Sequence, residues 1–433
     1  MSTAKSYRLA QTLALLALLM VQAGCSKVAP DTPAAAPAAA PITLTALVWA
    51  PDWPDEMHRI AAEFSRTHPQ IQVEVQFMIG NSVEENLKPK VASNKLPDLL
   101  SVNPNAYAAD LADQGLLADL SQTPVWANML DSLKTDWTSR QNKPYGISGG
   151  VAATLIYYNQ SQFEQAGITA LPSNFDEFLA VCEQLKRAGF TPIMWNGGFP
   201  NMLGNGPFSF GFANQVVAQQ PDWKRQISDG SLDLNTPQTA DIFAKIKLMA
   251  QRGYVQKGYQ NTNYDEGIKL FTEGKTAMAF HGTWAAGRLM NGQGFQTGIF
   301  MPPWNAPGKT PVPVIGSETG FAVGETPHKQ AALQFLEYLY GPGFEIYQNK
   351  RQNMVPLKQV QGRVLADSQL TQYIGAAAAF PVTASPYYSF LPASTIELLH
   401  PLLQDVLAGR VTPQQAAQKL DTSIKTEARQ RNK

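Results

Sequence analysis

Two cysteines occur in 433 residues, so one disulfide at most is available and no cross-linked framework holds the fold. Charged residues are scarce, 16% of the chain against roughly 25% in average soluble proteins. The formal net charge is zero, and without a basic excess nothing argues for a nucleic-acid partner. No His-Glu-x-x-His motif, paired-cysteine cluster or calcium-loop pattern is present, so neither a metal nor a cofactor is expected. What the chain does have is 31 prolines, 32 glycines and 10% aromatic residues. That composition suits a loop-rich protein with aromatic surface to spare, and its length suits about two domains.

The first residues read as a targeting segment. Lys5 and Arg8 supply a positive start, and the apolar block 13–21 is too short to span a bilayer. Ala23-Gly24-Cys25-Ser26 follows, resembling a bacterial lipobox with Cys25 as the lipidated residue, although Gln22 stands where leucine is usual. Cleavage after Ala23 without lipidation is the alternative. Residues 28–41 are mostly Ala and Pro, a composition that stays extended and tethers an anchor to a folded module. Cys182, amid apolar neighbours, is expected to be a buried free thiol.

The mature chain reads as two α/β units in series. In the first, strands are expected over 42–49, 71–78 and 96–102, with helices over 57–68, 83–92 and 106–114. That alternation implies a parallel sheet with crossover helices. The second unit begins with an apolar strand over 152–159. A helix over 174–188, a short strand over 191–195 and a helix over 236–252 follow. Next comes Phe-Thr-Glu-Gly-Lys-Thr-Ala-Met-Ala-Phe-His-Gly-Thr-Trp over 271–284: a helix ending at Gly274, a buried strand, then Gly282, Thr283 and Trp284 at its carboxyl end. The chain then leads through Pro307, Pro311 and Pro313 into 314–317, and a strand over 320–324, a helix over 329–340 and terminal helices over 396–407 and 413–426 complete the pattern.

Several blocks, in order, resemble sugar-binding family one of the bacterial extracellular solute-binding proteins, the maltose-binding-protein-like capture subunits of ABC importers. They are Lys143-Pro144-Tyr145-Gly146-Ile147, Tyr157-Tyr158-Asn159, Phe163-Glu164-Gln165-Ala166-Gly167-Ile168, the 271–284 stretch, Met301-Pro302-Pro303-Trp304, Gly316-Ser317-Glu318-Thr319-Gly320 and the 331–339 helix. The resemblance implies an α/β, two-lobed type II periplasmic-binding-protein fold. Each lobe would be a mainly parallel sheet flanked by helices, with a hinge of several crossing segments. The expected layout is a signal peptide over 1–24, the lipid-anchor cysteine and tether over 25–41, an N-terminal lobe from 42–151 plus 310–342, and a C-terminal lobe from 152–309 plus 343–433. The hinge crossings are expected near 151–155, near 308–313 and after Tyr340. The implied partners are a small carbohydrate, ABC permease subunits and, through the anchor, a bacterial membrane; the implied state is a monomer, periplasmic or at the cell surface.

Ligands of open α/β sheets bind at the carboxyl ends of the strands. Those ends carry Trp49, Asp52 and Trp53; Asn103 and Asn105; Trp195 and Asn196; and His281, Gly282, Thr283 and Trp284. Trp304, Glu318 and Tyr388, the last beside Tyr387 and Phe390, complete the candidate set. Aromatic faces cover the C–H faces of a sugar, and acids and amides meet its hydroxyls. Neutral overall charge points to an uncharged ligand. His281 lacks a second histidine at metal-binding spacing, which favours a structural role over catalysis or metal binding. Arg288 is expected to point away from the cleft, leaving a phosphate ligand without its cation. Besides importer capture, three readings stay open: a glycan-acting enzyme with Asp52 and Glu318 as its acids, a glycan-holding lipoprotein without transport, and capture of another solute such as glycerol phosphate.

Overall fold

The computed structural model describes residues 41–80, 82–351, 355–359 and 369–431. The expected leader, Cys25 and nearly all of the tether lie outside the described residues. Among the described residues no helix is long and apolar enough to cross a membrane.

The first lobe follows the βαβαβα reading. Strand β1 (Ile42–Val48), helix α1 (Pro54–Thr67), strand β2 (Ile71–Phe77), helix α2 (Val83–Ala92), strand β3 (Leu99–Val102) and helix α3 (Ala106–Asp113) come in that order. Pro54 opens α1, where its missing N–H costs nothing. Met57, Ile60, Ala61 and Phe64 then form the buried stripe. Ser82 caps α2 by accepting from Glu85 N at 3.1 Å, and Asn105 caps α3 by accepting from Ala108 N at 3.2 Å. Further strands are β4 (Val151–Asn159), β5 (Ile193–Met194), β6 (Met278–Gly282), β7 (Thr297–Phe300), β8 (Val314–Ser317) and β9 (Gly320–Val323). The first sheet runs β2-β1-β3-β9, with β1 parallel to both neighbours and β9 antiparallel on β3.

The second sheet runs β5-β6-β4-β7, with β8 also on β4, and it is not mainly parallel as expected. Only β5 and β6 run parallel; β4 lies antiparallel to β6, β7 and β8. The reason is the crossover: β4 enters from the first lobe and runs outward, whereas β6 runs back toward the junction. Its Gly282 end pairs with Thr154, near the start of β4. The helix Phe175–Arg187 buries Phe175, Phe178, Val181, Cys182 and Leu185, so Cys182 is a buried free thiol in the second core.

Two expected crossings fall later in the chain. The segment 314–317 still completes the second sheet, so the return to the first lobe comes at Glu318 and Thr319. Beyond Tyr340, Phe344, Tyr347, Val355 and Leu357 remain buried in the first-lobe core. The helix Phe344–Arg351 packs on α1, and Leu357 forms a bridge with Met129, so the chain stays in that lobe past 343. The terminal helices Ala393–Leu407 and Pro413–Arg431 then pack in the second core.

Candidate functional site

A cleft lies between the lobes, with about 810 Å³ of empty space when its open mouth is included. Of the residues expected from sequence, Trp49, Asp52, Trp53, Asn103, Trp284, Glu318 and Tyr388 line it. Trp49 ends β1, its backbone N–H held by Ser101 Oγ at 3.0 Å. Trp53 stands at the floor, packed edge-on to Tyr347 at 4.6 Å and Phe321 at 6.2 Å between centroids. Asn103, just past β3, accepts from Thr319 Oγ1 at 2.6 Å and donates to Glu84 Oε1 at 2.9 Å.

Trp284 is half-buried and folds back over the strand that precedes it. A Cβ on Gly282 would stand 2.0 Å from the indole, so only glycine admits that ring position. Behind it His281 is fully buried, with Nδ1 accepting from Gly282 N at 2.9 Å. Burial pushes its pKa down to about 3, so the imidazole is neutral and supports the Trp284 and Tyr264 rings at 5.8 and 5.2 Å.

The remaining candidates stand behind the wall. Asn105 spends its amide on Glu84 Oε1 at 2.7 Å and on the Tyr388 carbonyl at 3.1 Å, and its oxygen caps α3. Trp195 is 2% exposed, packed on Tyr259. Asn196 donates to the carbonyls of Asn263 and Tyr264, bracing that turn. Thr283 Oγ1 receives Ala153 N at 3.2 Å and donates to Val151 O at 3.4 Å, tying β6 to the start of β4. Trp304 is fully buried among Phe175, Phe178, Phe210 and Phe280. Phe390, paired with Tyr388 in the sequence reading, instead stacks on Phe212 in the second core at 4.9 Å.

Other lining residues escaped the sequence reading: Glu84, Phe199, Asn201, Asn205, Tyr264 and Tyr347. Asn201 and Asn205 project from a helical segment that kinks at Gly206, where ψ is −107°, just before Pro207. Gly204 lets Tyr387 approach, since a Cβ there would meet its ring at 2.8 Å. The run Asn-Met-Leu-Gly-Asn-Gly-Pro, polar and glycine-rich before an apolar helix, was the available signal.

The lobes are bridged across this cleft. Asp52, from the first lobe, accepts from Tyr264 Oη at 2.7 Å and from Arg288 Nη1 at 3.1 Å, both from the second. Arg288 thus does reach the cleft edge, contrary to expectation, because Asp52 and Asp265 both draw its guanidinium. Lys88 of α2 pairs with Glu397 at another point of the seam. Among the described residues no cluster of metal-ligating side chains occurs.

The family model for the bacterial extracellular solute-binding protein matches residues 50–345. The melibiose/raffinose/stachyose-binding protein MelE of Bacillus subtilis is 23% identical over 431 residues, covering 95% of each chain. The multiple sugar-binding protein of Streptococcus mutans is 22% identical over 65% of this chain and 67% of its own. Among solved structures, RafE in complex with raffinose superposes with a TM-score of 0.76 at 22% identity, covering 89% of this chain and 99% of that one. A chitin oligosaccharide binding protein gives 0.77 at 21%, covering 90% and 99%. At such identities the structural likeness establishes the two-lobed fold.

Proposed function

Because the chain belongs to the bacterial extracellular solute-binding protein family, we propose that it captures a carbohydrate between its lobes, unaltered, and delivers it to the membrane subunits of an ABC importer. The observation that carries this reading is the cleft itself. Trp49, Trp53, Tyr264, Trp284 and Tyr388 supply aromatic surface from both lobes, and Asn103, Asn201 and Asn205 stand among them. That combination matches a ring with apolar faces and a polar rim. The relatives named for raffinose, stachyose and other sugars support the same ligand class. Reversible capture fits better than hydrolysis: both oxygens of Asp52 are held by Tyr264 and Arg288, which leaves it poorly placed as a nucleophile or proton donor. The protein is exported as its family is; the anchor at Cys25, the tether and the monomeric state complete the proposal.

The test is a thermal-shift and tryptophan-fluorescence screen of neutral, aminated and acidic saccharides. A binder raises the melting temperature, since it favours the native state, and the sugar is recovered intact after long incubation. Cleavage of the sugar would move the reading to an enzyme. A chain with no response to any saccharide would move it to another solute. Mass analysis of the mature amino terminus decides between lipid on Cys25 and plain cleavage after Ala23.

A further inference from the structure

We propose that the cleft selects a saccharide carrying a protonated amine, with the Glu84 carboxylate as its acceptor. This rests on the carbohydrate-capture reading and narrows it to one ligand class.

The first argument is local charge. Three carboxylates, Asp52, Glu84 and Glu318, line the cleft, and neither lysine nor arginine does. Arg288, at the cleft edge, pairs with Asp52 and so offsets one of the three, and Lys88 pairs with Glu397 rather than with Glu84. The zero net charge of the whole chain hides this excess.

The second argument is the direction of unmet hydrogen bonds. Glu84, near the start of α2, is 1% exposed. Its Oε1 accepts from the amides of Asn103 and Asn105, while its buried Oε2 has no hydrogen-bond partner among the described residues. Asn205 Oδ1, across the cleft, is in the same condition. Among lining side chains the buried polar atoms without partners are therefore acceptors, and a buried acceptor left unpaired is costly. An ammonium group offers three donors and no acceptor. It also forms charge-assisted bonds to a carboxylate and is attracted to aromatic faces, which Trp49, Trp53, Tyr264 and Trp284 provide. Burial raises the Glu84 pKa against the pull of Asn103, Asn105, its own backbone N–H and the Lys88 charge, so a further cation beside it would favour the ionised form. Glu84 lies at the seam: Asn105 joins it to the Tyr388 carbonyl of the second lobe, so the ligand reaches it when the lobes part.

The experiment is calorimetric titration of the purified chain. The probes are raffinose and its 6-amino-6-deoxy derivative, together with the β-1,4 trimers of glucosamine, N-acetylglucosamine and glucuronic acid. The expected result is that an amine probe binds at least about tenfold tighter than its neutral counterpart, and that the uronate trimer does not bind. Glu84→Gln keeps an oxygen for Asn103 and Asn105 and sets an NH2 where Oε2 stands. The amine preference should then fall below about threefold, by the same charge-assisted bond. Its melting temperature without ligand should change little, because one buried polar atom without a partner replaces another, and that reading separates loss of preference from misfolding. A neutral sugar binding as tightly as its amine, uronate binding, or an amine preference intact in Glu84→Gln would overturn the proposal. Failure of every saccharide, charged or neutral, would remove the capture reading and this inference with it.

Discussion

In the first lobe most of the named cleft wall leaves the ends of parallel strands, Trp49, Asp52 and Trp53 after β1 and Asn103 after β3, with Glu84 from α2 and Tyr347 from the helix Phe344–Arg351 beside them. In the second lobe only Trp284 comes from such a place, just past β6. The other second-lobe side chains arrive from helical turns: Asn201 and Asn205, Tyr264, and Tyr387 with Tyr388. The difference follows from sheet direction. Where neighbouring strands run parallel, their carboxyl ends gather at one edge and the loops there must face the ligand. Where β4 runs against its neighbours, the edge is shared between strand starts and strand ends, and helices fill the gap. Aromatics at strand ends in that lobe therefore turn inward as readily as outward, as Trp195 does.

The tryptophan pair of the second lobe gives the sharpest way to break this comparison. Trp304→Ala removes a ring packed on four phenylalanines and should cost about 3–5 kcal/mol of stability, read as a large fall in the urea midpoint. A small fall would mean that Trp304 is not core.

Acid should separate the lobes next. The second lobe holds two buried neutral imidazoles, His281 with a pKa near 3 and His400, bonded to Tyr387, with one near 4, both lowered by burial. In the unfolded chain both titrate near 6.5. The unfolded state thus binds more protons, so their contribution is full above pH 6.5 and is lost as pH falls from 6.5 toward 4 and then 3. At pH 5 each should have lost about 2 kcal/mol. Glu84, whose pKa is raised by burial, works in the opposite sense and is controlled by its Gln variant. Urea melts at pH 7.5 and pH 5 check this; His281→Gln and His400→Gln should each flatten the difference.

Trp284→Ala, in contrast to Trp304→Ala, should weaken saccharide binding by more than about tenfold, the worth of roughly 1.4 kcal/mol, with the melting temperature nearly kept, because the ring is only half-buried. Equal affinity would remove Trp284 from the site.

Periodicity made the first lobe legible nearly to the residue. Expected strands over 42–49 and 71–78 are found as Ile42–Val48 and Ile71–Phe77, and the helix over 83–92 as Val83–Ala92. Strand β2 alternates in burial, β1 ends in a buried apolar run, and Ser82 caps the helix. Trp304 was a candidate, but nothing in the block Met301-Pro302-Pro303-Trp304 tells a cleft-facing indole from a buried one. The loop tucks the ring among four phenylalanines. Glu84 was invisible for another reason. An acid in the first turn of a helix is ordinary, and only the tertiary approach of Asn103, Asn105 and Tyr388 buries it. Chain crossings were misplaced because β8 and the helix Phe344–Arg351 carry no mark of which lobe they will join.

The smallest effect, and the one that bears on motion, is expected at Asp52. It contributes to both sides of the comparison, since a first-lobe strand-end acid is met by second-lobe helical groups, Tyr264 and Arg288. Asp52→Asn keeps an acceptor for Tyr264 but removes the charge that draws Arg288, which still has Asp265. With Arg288 partly solvated, at 29% side-chain exposure, the loss should be about 1 kcal/mol. A shift of that size moves the balance of open and closed lobes by a few-fold. Small-angle scattering of the ligand-free protein should then show a larger radius of gyration, and saturating sugar should restore the wild-type value. If the ligand-free radius stays unchanged while affinity falls, Asp52 serves the ligand directly and the lobes are held together by other contacts, with Lys88 and Glu397 the next pair to remove.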